Sequence, residues 1–250
     1  MLYFLQDFFH AGNVTIHGNA AMFQVIKLTD LFCIIEHFTN YPLKTQKHAD
    51  YLLFKKAFDI ISNKEHLTKT GLDKLVSLRS VLNKGLSERL QLAFPDIKPA
   101  LRPKVSKPNL HANNVDINSW IAGFVSGEGC FFIKAGKSET HKLGISITLN
   151  FIVNQNVRDA YLLESFIRVL DCGSLYITEK TGIARFTVVN FTDIVEKIIP
   201  FFDEYPIFGS KYKDFQDFKQ ASILMKSKSH LTKQGLEQIV LIKAGMNFKR

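Results

Sequence analysis

The stretch Ser119-Trp120-Ile121-Ala122-Gly123-Phe124-Val125-Ser126-Gly127-Glu128-Gly129-Cys130-Phe131-Phe132-Ile133 decides how the chain is read. It predicts a short helix running directly into a strand. Asn118 or Ser119 is placed to cap the start, and Gly129 falls where a left-handed residue often ends a helix. Small side chains recur four apart, Ala122 with Ser126 and Gly123 with Gly127, so one face is stripped nearly to backbone and another helix can come close. Each interior Gly costs about 1 kcal/mol of helix stability relative to Ala, which implies a compensating contact. Glu128 then puts a carboxylate at the negative end of the helix macrodipole, an unfavourable place unless a cation joins it. A divalent ion would remove the conflict; a surface glutamate beside a turn is the plain alternative.

Working outward, the sequence repeats itself. Lys64-Glu65-His66-Leu67-Thr68-Lys69-Thr70-Gly71-Leu72 returns 164 residues later as Lys228-Ser229-His230-Leu231-Thr232-Lys233-Gln234-Gly235-Leu236. Tyr41-Pro42 returns as Tyr205-Pro206 and Asn83 as Asn247 with the same shift, while Thr29-Asp30 matches Thr192-Asp193 with one residue of slippage. Tyr3-Phe4-Leu5 resembles Tyr161-Leu162-Leu163. Two copies of one unit are therefore expected. Residues from about Asn118 to Arg158 have no counterpart before Tyr3, so the first copy starts in its middle. Either the natural product begins upstream of Met1 or the gene is a decayed relic.

The expected division is a partial repeat at 1–94, a linker at 95–118 and a complete repeat at 119–250. In the first, helices are predicted over 2–10, 29–38, 48–61 and 69–82, the last capped by Thr68. A hairpin of Asn13–His17 and Met22–Lys27 is joined by Gly18-Asn19. The linker holds Pro95, Pro99, Pro103 and Pro108 with Lys98, Arg102, Lys104 and Lys107 interleaved. It reads as an extended basic tether, either simply solvated or tracking phosphates. The second repeat should give strands at 130–135, 145–153, 174–179 and 184–190, and helices at 157–170, 192–202, 211–226 and 233–243.

The 145–153 run alternates Ile145, Ile147, Leu149, Phe151 and Val153 with Ser146, Thr148, Asn150 and Ile152. One face should pack on helices and the other stay polar and free for a ligand. Lys134, Tyr176, Thr178, Arg185 and Thr187 would continue that face, and Asn13, Thr15, His17 and Gln24 would offer its like in the first hairpin. A twisted ribbon of such strands can read base edges in a major groove, although any half-exposed sheet alternates in this way.

The bulk composition narrows the classes. The chain has 250 residues, 46% hydrophobic, with 22 Phe, a net charge of +9 and a pI near 9.4. Such a chain can bury one or two cores, and its charge favours a polyanionic partner. Cys33, Cys130 and Cys172 are odd in number and show no C-x-x-C spacing, which argues against a disulfide frame or structural zinc. No apolar run reaches roughly 18 residues, so no membrane partner is expected, and no small-molecule cofactor either. The N-terminus meets Asp7 early and has no basic start, unlike a secretory or transit peptide.

Residues 121–129, Ile-Ala-Gly-Phe-Val-Ser-Gly-Glu-Gly, resemble the signature helix of the LAGLIDADG homing endonucleases. The departures are Ile121, Phe124 and Val125 among apolar positions, Ser126 for the first Asp, Gly127 for Ala, and Glu for Asp at the ligand. The resemblance implies an α/β (α+β) fold of two pseudo-symmetric αββαββα repeats whose antiparallel saddle sheets bind double-stranded DNA, with the first repeat incomplete here. It implies that Glu128 binds Mg²⁺, that Gln155 orients active-site water, and that Lys211 stabilises developing charge, with Lys47 as its duplicate. The mate of Glu128 should come from the absent first helix. The implied activity is site-specific, Mg-dependent double-strand cleavage at a group I intron-insertion site, with two alternatives left open: a maturase acting on group I intron RNA, or a DNA-binding protein without catalysis. Two repeats in one chain imply a monomer, although self-association through 121–127 would also bring two acids together. Abundant Phe, Ile, Lys and Asn suit an AT-rich mitochondrial genome, with a chloroplast as the alternative.

Overall fold

A computed structural model of the chain describes residues 1–105, 107 and 116–247. It divides into two compact units, Met1–Asn109 and Leu110–Arg250. The linker positions 106 and 108–115, Pro108 among them, lie outside the described residues.

The first unit runs α1 (Leu2–Phe9), β1 (Asn13–His17), β2 (Ala20–Gln24), α2 (Leu28–Asn40), α3 (Lys47–Ser62), α4 (Lys69–Ser80) and α5 (Glu88–Ala93). β1 and β2 form a two-stranded antiparallel sheet in which Asn13 faces Gln24 and His17 faces Ala20. The second strand therefore starts at Ala20, not Met22. Once the two-residue turn at Gly18-Asn19 closes, pairing begins at once, and Ile26 and Lys27 leave the sheet. α5 was not foreseen, because six residues are too few to show a helical period. The core is small: Ile35, Ala49, Tyr51, Leu53, Val76 and Leu78 are buried, and the Tyr51 hydroxyl donates to the Ile35 carbonyl at 2.8 Å.

The linker departs from expectation. Ser77 Oγ donates to the Lys98 carbonyl at 2.7 Å, the Ala100 N–H to the Ser77 carbonyl at 3.2 Å, and Arg102 Nη1 to Asp50 at 2.6 Å. Residues 98–102 are thus strapped to α3 and α4 rather than forming a solvated tether, and Asp50 neutralises the Arg102 charge. Pro99 and Pro103 keep this segment extended, which leaves its polar backbone groups free to pair.

The second unit runs α6 (Ile117–Glu128), β3 (Gly129–Lys137), β4 (Ile145–Asn156), α7 (Ala160–Leu170), β5 (Ser174–Thr178), β6 (Ile183–Val188), α8 (Phe191–Asp193), α9 (Ile199–Glu204), α10 (Lys211–Lys226) and α11 (Lys233–Ala244). Its strands form one antiparallel sheet ordered β3-β4-β6-β5. A π-helical turn at Ile194–Ile198 links α8 to α9. Pro200 follows it, and because proline lacks an N–H and crowds the carbonyl four residues back, a wider turn relieves the clash there.

Phe131, Phe151, Phe166, Phe186, Phe202, Phe215 and Phe218 are fully buried between sheet and helices. Phe131 lies at the middle, with ring centroids of Phe151, Phe202, Phe215 and Phe218 between 5.1 and 5.6 Å away. Each fully buried ring stabilises the fold by about 1.5–3 kcal/mol through area alone.

The duplicated His-Leu-Thr-Lys-x-Gly-Leu blocks cap and pack helices, as the sequence suggested. Thr68 and Thr232 have φ of −97° and accept from the N–H groups of Gly71 and Gly235 at 3.0 and 3.1 Å. Each glycine is required by close approach: a β-carbon would lie 1.9 Å from the Glu65 carbonyl oxygen at Gly71 and 2.1 Å from that of Ser229 at Gly235.

Candidate active site and nucleic-acid interface

α6 starts two residues earlier than read, and its cap is Asp116 rather than Asn118 or Ser119. The Asp116 carboxylate accepts from the Asn118 N–H at 3.0 Å and from Ser119 Oγ at 2.5 Å. The Ser119 bond, ahead of the Asn118 backbone, holds this carboxyl below its usual range. At the other end Gly129 is extended, with φ −75° and ψ 160°, not left-handed. Its β-carbon would sit 2.5 Å from Val125 Cγ1 and 2.9 Å from the Val125 carbonyl oxygen. Glycine is needed there because the strand leaves while still pressed against the last helical turn.

Along α6, Ile121, Ala122, Val125 and Ser126 are buried, while Gly123, Gly127 and Glu128 are exposed. Added β-carbons at Gly123 and Gly127 would meet nothing within 4 Å. The compensating contact implied by the small-residue stripe is therefore not supplied among the described residues.

The last turn of α6 is tied to the segment that leads into α10. Ser126 Oγ donates to the Ala122 carbonyl at 2.8 Å and accepts from the Phe208 N–H at 2.9 Å. Lys211, the first residue of α10, donates from Nζ to the Gly127 carbonyl at 2.9 Å. Burial lowers the Lys211 pKa below the ordinary lysine value, opposed by the charges of Cys130, Glu128 and Asp214. The sequence marks Ser126 as a small residue of the helix face and a departure from the family pattern; the structure adds its bond to the segment that leads to Lys211.

Gln155 lies in β4 opposite Ala184, two residues past Val153, whose partner Gly129 directly follows Glu128. The register thus puts Gln155 at the same end of the sheet as Glu128. Lys47 is the first residue of α3, as Lys211 is of α10, but its side chain is exposed.

Among the described residues no group of three or more His, Cys, Asp or Glu could hold a metal. A divalent ion at this place would take the exposed Glu128 carboxylate and complete its shell with water and phosphate oxygens. That hard-oxygen set suits Mg²⁺.

The polar face of the sheet is assembled as read. The register lays Lys134 beside Thr148, Ser146 beside Gly136, Ile152 beside Thr187, and Arg185 between Asn154 and Tyr176, with Thr178 beside Ile183. Asn150, Ile152, Tyr176, Thr178, Arg185 and Thr187 line part of a shallow concavity of about 440 Å³. Asn154 was missed because the strand was ended at 153 instead of Asn156; alternation carried two residues further would have found it. In the first unit Asn13, Thr15, His17 and Gln24 share one face of the hairpin, but the Thr15 hydroxyl is enclosed without a hydrogen-bond partner among the described residues.

The molecule thus sets a helix ending in a carboxylate, with a lysine bonded to its last turn, at the end of a polar-faced antiparallel sheet. The family model for LAGLIDADG endonucleases matches residues 1–58 and 121–222, and the chain belongs to that family. In Neurospora crassa, the protein named probable intron-encoded endonuclease 2 is 38% identical over 228 residues, which cover 88% of this chain and 49% of that one. Probable intron-encoded endonuclease 3 of the same organism is 35% identical over 97% of this chain and 45% of that one. The chain thus spans about half the length of these curated relatives. The LAGLIDADG homing endonuclease I-SmaMI bound to cleaved DNA matches with a TM-score of 0.91 and 42% identity over all of this chain and 82% of its own. The same protein bound to uncleaved DNA target in the presence of calcium ions matches with a TM-score of 0.92 and 42% identity, over 98% of this chain and 83% of its own.

Proposed function

We propose that the chain is a site-specific, Mg²⁺-dependent endonuclease that cuts double-stranded DNA at a group I intron-insertion site. The observation that carries this reading is the α6 terminus, where Glu128 stands exposed beside a half-buried lysine that is hydrogen-bonded to Gly127. Phosphodiester hydrolysis needs an activated water, a charge sink on the phosphate and help for the leaving oxygen; a bound divalent ion supplies Lewis acidity there. Glu128 is the residue to hold it. Lys211 carries a positive charge that stabilises the developing phosphate charge, and Gln155 orients water. The polar sheet face, with Lys134, Thr148, Asn150, Arg185 and Tyr176, holds the duplex in register.

Cutting both strands requires two acids, and the first unit offers no counterpart of Glu128 among its described residues. The reading therefore requires a second acid beside Glu128, and a second copy of the chain is one source of it. The gene is read as mitochondrial: the two intron-encoded relatives from Neurospora crassa come from a fungus, fungi hold no plastids, and the composition suits an AT-rich organelle genome.

The test is cleavage of a plasmid carrying the intronless site in Mg²⁺, by the 250-residue chain and by one extended upstream in frame. The extended chain is expected to cut. If it does not, while both forms aid splicing of the intron RNA, the endonuclease reading falls and a maturase replaces it.

A further inference from the structure

Arg185 is the one arginine on the solvent face of the four-stranded sheet, at the centre of β6 between Asn154 of β4 and Tyr176 of β5. Its Nε donates to Asn154 Oδ1 at 3.0 Å, and it forms no ion pair among the described residues. Both side chains are exposed, so this bond is not forced by packing. Left alone, an arginine side chain samples many rotamers and loses that freedom on binding. An acceptor on Nε halts the rotation and fixes the plane of the guanidinium. With Nε engaged, the two Nη groups form the remaining fork, at the wall of the concavity flanked by Ile152 and Ile183. That fork has the spacing of the O6 and N7 acceptor pair that guanine presents in the major groove. No other base offers two acceptors there.

We propose that Asn154 is a positioning residue that aims Arg185 at a guanine in the target duplex, making this pair a determinant of sequence specificity. The proposal rests on the reading of the sheet as the DNA interface. An exposed Arg–Asn pair that served only the strand pairing would leave base preference untouched, so the readout is preference at one base pair rather than affinity.

The experiment is selection of bound duplexes from a pool of randomised sequence by the natural chain and by four variants, each checked for an unchanged circular dichroism melt. The natural chain is expected to enrich a motif with one guanine favoured on the order of ten- to a hundredfold. Arg185→Ala and Arg185→Lys should lose the preference at that position and keep the rest of the motif. Asn154→Leu should weaken the same preference severalfold, while Asn154→Asp, which retains the acceptor, keeps it. An enriched motif that Arg185→Ala leaves unchanged overturns the proposal and spares the DNA reading. A guanine preference that survives Asn154→Leu in full overturns the positioning role. Should the natural chain enrich no motif at all, the DNA reading fails and the inference fails with it.

Discussion

Lys211 Nζ donates to the carbonyl oxygen of Gly127 across 2.9 Å, one residue before the carboxylate of Glu128. The bond takes up one of the terminal carbonyls that every helix leaves without an intrahelical partner, and it places positive charge at the negative end of the macrodipole. Burial still wins, since the lysine pKa is lowered. A folded-state value below that of the unfolded chain means the unfolded state keeps the proton over that window. Stability therefore rises as pH climbs from the lowered value toward the ordinary lysine value of 10.5.

Lys211→Met keeps most of the stem and removes the charge. Its advantage in denaturant unfolding over the natural lysine is expected at pH 7 and should shrink as pH rises through the lowered pKa. Single-turnover cleavage by a chain long enough to cut should meanwhile fall about 10²–10³-fold. Equal cleavage by the Met variant would remove lysine from the chemistry.

Glu128→Gln is nearly isosteric and loses only the charge. Cleavage is expected to vanish while DNA affinity in a gel-shift titration stays nearly unchanged, because the proposed role of the residue is to hold a metal rather than to carry the phosphate contacts. Persistent cutting would place the metal site elsewhere.

Ser126 bonds both to its own helix and to the backbone of Phe208. Ser126→Ala removes the second bond and is expected to cost about 1–2 kcal/mol in chemical denaturation. Because that bond sets the start of α10, the same variant should also slow cleavage without weakening DNA binding. An unchanged midpoint would show that packing alone holds the segment.

Phe4 and Phe8 of α1 are 60% and 54% exposed, whereas their repeat counterparts Leu162 and Phe166 of α7 are fully buried against the sheet. α7 lies on β4, β5 and β6, whereas α1 lies on the two-stranded hairpin and touches α2 through His37 and Cys33. Amide hydrogens of α1 should therefore exchange much faster than those of α7, by local opening rather than global unfolding. Comparable protection in the 250-residue chain would mean that something covers α1.

DNA binding should weaken steeply with salt, by roughly one unit of log affinity per unit of log salt for each phosphate neutralised. Asp50 already neutralises Arg102, so Arg102→Ala should leave that slope unaltered and instead loosen the strap over α4. A reduced slope would return Arg102 to the phosphate-binding set.

Much of this was legible in the chain because it is local. Helices announce themselves by a period of 3.6 residues and strands by a period of two, so the repeat, the α6-to-β3 run and the polar face of β4 could all be read directly. Boundaries were less legible where tertiary contacts set them. The strand continued to Asn156 because β6 pairs with it that far, and the linker proved docked because α4 presents Ser77 to it.

The amino-acid sequence by itself determined the family, the duplication and the placing of an acid at the end of a small-faced helix. Only the tertiary structure decided what ties down the helix turn that carries that acid. The bonds from Phe208 to Ser126 and from Lys211 to Gly127 join residues 82 and 84 positions apart. No local period encodes such pairings; they exist because packing of the phenylalanine core brings those backbones within hydrogen-bonding reach.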